Sequence, residues 1–91
     1  MNQVHFDRNK TPITSGDHIR IIEIPEGLPE GLPEEDQVAI YAQVGKVLVV
    51  QGFEMDGSAE LEFVDDAGHI HTIWINPNYL EKSEHPGTDH G

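Results

Sequence analysis

Ninety-one residues with 17 acidic and five basic side chains give a formal charge of −12. A chain of that length holds one core, too small to leave much room for an enclosed active site. The negative field repels phosphate backbones, so nucleic acid is a disfavoured partner, and the absence of cysteine excludes disulfides, thiolate catalysis and Cys-type metal sites.

No run approaches the ~20 apolar residues of a membrane span, and no apolar leader opens the chain. The expectation is a soluble, cytoplasmic protein without a membrane partner. Residues 1–14 are polar and unpatterned, with Val4, Phe6 and Ile13 isolated, and predict an N-terminal arm that is flexible or loosely laid on the barrel. Ser15-Gly16-Asp17 marks a turn into a strand over His18–Ile24. Ile19 and Ile21 share one face of it and Ile22 and Ile24 the other, a change of phase that predicts a one-residue bulge. Pro25 ends the strand.

Glu26-Gly27-Leu28-Pro29 and Glu30-Gly31-Leu32-Pro33 then form a tandem repeat, whose glycines and prolines predict a turn-rich loop. Pro33 followed by Glu34, Glu35 and Asp36 is a helix start, with carboxylates at the positive end of the dipole. Gln37, Ile40, Tyr41 and Val44 recur at helical spacing and Gly45 stands where a C-terminal cap belongs. A helix of two to three turns from Pro33 to Gln43 follows, and so short a helix must dock Ile40 and Tyr41 to persist.

Lys46–Gln51 is a β-branched run, apolar on both faces, as in a central strand. Asp56-Gly57 is a turn signal. Ala59–Val64 then alternates, with Ala59, Leu61 and Phe63 inward and Glu60 and Glu62 outward. The turn at Asp65-Asp66-Ala67-Gly68 decides the face shown by the next strand. A three-residue loop with Gly68 left-handed pairs Asp65 with His69, sets Leu61 against Ile73 and Phe63 against His71, and leaves Trp74 outside opposite Glu60. A four-residue loop reverses the faces. The first keeps both isoleucines, Ile73 and Ile75, in the core and is the expected arrangement. Asn76-Pro77-Asn78-Tyr79 predicts a 3₁₀ turn, Leu80 returns inward, and residues 81–84 can add a closing strand. Residues 85–91 read as a disordered tail.

This order, with Gly16-Asp17 opening the first strand, three meander strands and Pro77-Asn78-Tyr79-Leu80 before the last, resembles the SH3-like small barrels. The resemblance implies a mainly β barrel of about five strands over residues 15–84, with a short helical insertion between the first and second. In SH3 domains the Pro and Tyr of that turn line a proline-peptide groove. The Ala-Leu-Tyr-Asp-Tyr signature of their first strand is absent here, and Trp74 comes one strand later than their groove tryptophan. Residues 16–81 are also similar to short bacterial proteins with no assigned activity, through Ile22-Glu23-Ile24-Pro25, Gly27-Leu28-Pro29 and His71-Thr72-Ile73-Trp74-Ile75-Asn76-Pro77. Gly16-Asp17 and Gly45-Lys46-Val47 further resemble the SH3-like subunits of nitrile hydratase and of photosynthetic electron-transfer complexes, which serve as docking pieces.

His69 and His71, two apart on one strand with Asp65 and Asp66 nearby, are candidate metal ligands. The alternative is that His69 lies in water at a hairpin end and His71 caps the edge of the core. Glu60/Glu62 and Asp65/Asp66 are candidate acid pairs for acid–base work, and without a pocket they are surface charges. Trp74 is the most informative residue: in the expected register it stands outside the barrel core beside acids, as an interaction surface would, and the alternative is a core-edge residue covered by the Leu28 and Leu32 loop. The expectation is a non-enzymatic interaction module or accessory subunit, without a cofactor, docking a protein through Trp74, Tyr79, Pro77, Tyr41, Leu28 and Leu32. It would be a monomer or weak homodimer. The alternative is a small metal- or ligand-binding protein using His69, His71 and nearby carboxylates such as Asp66.

Overall fold

The alternation of Ala59–Val64 and Ile70–Ile75 organises the chain: Ala59, Leu61, Phe63, Ile73 and Ile75 are buried while the residues between them face outward. In the computed structural model, which describes residues 4–83, the elements are β1 (His5–Phe6), β2 (Pro12–Ile13), β3 (His18–Ile21), α1 (Glu34–Tyr41), β4 (Val47–Phe53), β5 (Ala59–Val64), β6 (Ile70–Ile75), a 3₁₀ turn over Pro77–Tyr79, and β7 (Leu80–Lys82). The tail expected at 85–91 lies outside the described residues.

β3 to β7 form one antiparallel sheet in the order β6-β5-β4-β3-β7. Among the described residues the chain is mainly β with one short helix, as expected. β4 is the central strand, and β6 and β7 are the two ends of an open ladder rather than neighbours in a closed barrel. Ile19, Ile21, Leu61, Ile75 and Leu80 are wholly buried on the inner face, and Ile40 from α1 completes that core.

Three expectations are corrected. The first strand stops at Ile21, where Gly45 N–H, at φ +88°, donates to Ile21 O (2.7 Å) and Ile22 N–H makes a last bond to Tyr79 O (2.9 Å). The irregularity lies instead in β4, where the register shifts between Val50 and Gly52. The helix is shorter than Pro33–Gln43, and of its two expected anchors only Ile40 is buried, with Tyr41 exposed. Successive helical residues diverge by ~100°, so one narrow contact cannot hold both.

The third concerns the first fourteen residues, expected as a flexible or loosely laid arm. β1 and β2 pair as a hairpin whose Ile13 enters the core. Asp7, almost wholly buried, holds it in place. One carboxylate oxygen accepts N–H groups from Asn9 (2.8 Å) and Thr11 (2.8 Å), and the other accepts that of Lys82 in β7 (2.7 Å). Arg8 N–H also donates to Leu80 O (3.0 Å), and the His5 ring stacks on Phe53 at 3.9 Å. The hairpin thus covers the outer edge of β7. Strands of two residues show no alternation, which is why the pattern missed them.

Candidate functional site at the outer strand

The turn between β5 and β6 fixes what β6 displays. Asp65 N–H donates to His69 O (2.9 Å), Gly68 N–H donates to Asp65 O (3.0 Å), and Gly68 takes φ +88°. This is the three-residue loop, and it sets Val64 against Ile70, Phe63 against His71, Leu61 against Ile73 and Glu60 against Trp74. The expected register is the one present, and Trp74 faces outward.

Hydrogen-bonded and non-bonded pairs alternate along an antiparallel ladder. Counting from the Asp65–His69 pair, His71, Ile73 and Ile75 direct their backbone groups to β5. Ile70, Thr72 and Trp74 direct theirs away from the sheet, and among the described residues no other strand pairs with β6. Their side chains all face the outer surface. Ile70 is 67% exposed, Trp74 45%, and Val64, opposite Ile70, 61%. This edge therefore presents unpaired main chain flanked by apolar side chains.

The six residues expected to form one docking surface differ in their exposure. Pro77 is buried, and Tyr79 and Leu28 pack against the core. Leu32 is exposed on its loop and Tyr41 on α1, where the described core claims neither. Trp74 keeps the outer edge with Thr72 and Ile70, which the sequence reading passed over. The signal was available: once Trp74 is placed outward, residues two and four before it must share its face.

The histidine pair converges on Asp65, not Asp66. His71 Nε2 lies 2.8 Å and His69 Nδ1 3.6 Å from the same Asp65 oxygen, and the other oxygen accepts the N–H groups of Ala67 and His69. The His71 ring is stacked on Phe63 at 4.9 Å. Among the described residues no group of three or more His, Cys, Asp or Glu side chains is arranged to hold a metal ion. These contacts account for the trio as a clasp on the turn.

The clasp holds the Asp65 carboxyl down from 3.8 to about 2, first through the His71 hydrogen bond and then through the His69 N–H. A carboxyl whose pKa falls on folding stabilises the fold above its unfolded value, and that contribution disappears as pH drops through the folded one. Asp65→Asn should therefore melt below wild type at neutral pH. The gap should close as pH falls from about 4 to about 2, as thermal denaturation at stepped pH would show.

Glu60 and Glu62 lie on the outer face of β5 and do not line the groove beside α1. A groove of about 290 Å³ runs between α1 and the β5–β6 turn, lined by Val38, Ala39, Lys46 and Asp65 among others. It brings together none of the six expected docking residues. No helix among the described residues is long and apolar enough to cross a membrane. No family model, curated protein or solved structure matches the chain, and the site is therefore read from its geometry.

Proposed function

We propose that the chain is a non-enzymatic protein-interaction module that takes an extended protein segment as an additional strand along β6. The uncovered edge of β6 carries this assignment. A strand edge without lysine, proline or bulge pairs readily with another chain, and most proteins shield such edges. Here one end of the sheet is shielded by the N-terminal hairpin, and among the described residues nothing pairs with the other. Main-chain hydrogen bonds from Ile70, Thr72 and Trp74 would supply affinity, and the exposed Ile70 and Trp74 side chains would favour apolar partners at alternate positions. The SH3-like small-barrel relationship belongs to the same proposal, supported by the five-strand order and the helix inserted after β3.

The metal-binding alternative has less support, since His71 and Asp65 already satisfy one another. For the strand-docking function, the test is a displayed library of short linear peptides selected on the wild-type protein and mapped by amide chemical shifts. Selected peptides should shift the amides of Ile70, Thr72 and Trp74. Peptides that map only to the α1 groove, or no peptide at all, would overturn the assignment. Trp74→Ala should weaken the selected peptides by about 30-fold, the loss of one central aromatic anchor. An outward side chain bears little on the core, so the same variant should change folding stability by less than about 1 kcal/mol.

A further inference from the structure

Resting on the strand-docking reading, we infer that the segment taken by β6 is β6 of a second copy of this chain, antiparallel and centred on Thr72. The edge groups of Ile70, Thr72 and Trp74 are spaced symmetrically about Thr72. A two-fold axis there sets Thr72 against its own equivalent and Ile70 against Trp74 of the other copy, twice. All three pairs are of the hydrogen-bonded kind on that edge, because these are the residues whose backbone points outward. Centring on His71 or Ile73 instead engages only two such pairs.

The side chains match in the same register. Paired residues share a face, so the outer surface would carry Trp74 flanked by Ile70 and then Val64 of the second copy, an aromatic beside β-branched side chains. Three of the exposed large apolar residues of the chain are used at once. Residues 84–91 of the same chain, Glu-His-Pro-Gly-Thr-Asp-His-Gly, offer no valine, leucine, isoleucine, methionine, phenylalanine, tyrosine or tryptophan for those positions.

Charge and area set the strength. β6 itself carries no acid or lysine, and the nearest facing carboxylates are Glu62 and its equivalent, one strand back on each side. Three strand spacings separate them, about 14 Å, beyond the ~8 Å screening length at physiological salt. Ile70, Trp74 and Val64 together offer roughly 350 Å² per copy, short of the ~1,200 Å² total of stable complexes. The dimer is therefore weak, with Kd on the order of 10–100 µM, and its −12 charge per copy makes it tighten as salt rises.

Sedimentation equilibrium of the full chain, at low salt and at about 0.5 M, tests this directly. Wild type should pass from monomer to dimer over the micromolar range, with several-fold tighter association at high salt. Thr72→Pro removes one edge N–H that the sheet itself does not use, and Ile70→Glu sets an acid into the seam. Both should stay monomeric at ten times the wild-type Kd, and the second variant leaves the strand's backbone intact should the proline disturb it. A wild type monomeric at millimolar concentration overturns the inference, as does a dimer unchanged by both variants. If selected peptides still shift the β6 amides of that monomer, self-pairing alone has failed. If no peptide does so, the strand-docking reading falls with it.

Discussion

Leu61→Ala is expected to lower the stability of this domain by about 3–4 kcal/mol, in the range of buried leucine truncations. Leu61 is wholly buried at the centre of the inner face, opposite Val50 on one side and Ile73 on the other. A rigid sheet cannot collapse around the missing atoms, so a cavity adds to the lost transfer free energy. A domain this small has on the order of 5–13 kcal/mol in total, so a large share disappears. The effect reaches the docking edge because β6 is held to the described sheet through β5 alone. Urea denaturation of wild type and variant measures it. A loss below about 1 kcal/mol would show that the inner face is not one close-packed core.

Asp7→Ala should cost nearly as much, about 3 kcal/mol, for a different reason. The substitution removes the acceptor for three backbone N–H groups at 2.7–2.8 Å, in a nearly inaccessible position. Buried donors left unpaired each cost on the order of 1–3 kcal/mol, with part recovered as water enters. Asp7→Asn keeps one acceptor oxygen and should lose less. The consequence is also architectural: the hairpin that covers β7 would detach, and amide exchange at Lys82 should accelerate sharply. With both ends of the sheet bare, the variant should form assemblies beyond a dimer, visible by light scattering. Retained protection at Lys82 would mean that the hairpin is held by Ile13 and the His5–Phe53 stack instead.

The parts of this fold that follow a period were legible in the sequence. Ala59–Val64 and Ile70–Ile75 alternate strictly, and Gly68, the residue that tolerates φ +88°, fixed the loop length and hence the face of Trp74. What escaped the pattern depends on contacts distant in the chain. Asp7 bonds Lys82 across 75 residues, and nothing local in Asp7-Arg8-Asn9-Lys10 announces it. The burial of three expected docking residues was hidden for a related reason. Pro77, Tyr79 and Leu28 look like surface aromatics and loop residues by position, yet the turns that carry them fold back onto the inner face. Trp74 was placed correctly, and its companions Ile70 and Thr72 required only the same two-residue step.

The most direct test of β6 as the contact element is residue-resolved amide exchange at high dilution and again under saturating association, with peptide or with excess protein. At high dilution Ile70, Thr72 and Trp74 should exchange freely while His71, Ile73 and Ile75 are protected by β5. Under association the first three should become protected while the second three change little. If Ile70, Thr72 and Trp74 exchange at the same rate in both conditions while association demonstrably occurs, the contact lies elsewhere on the molecule and the account is wrong.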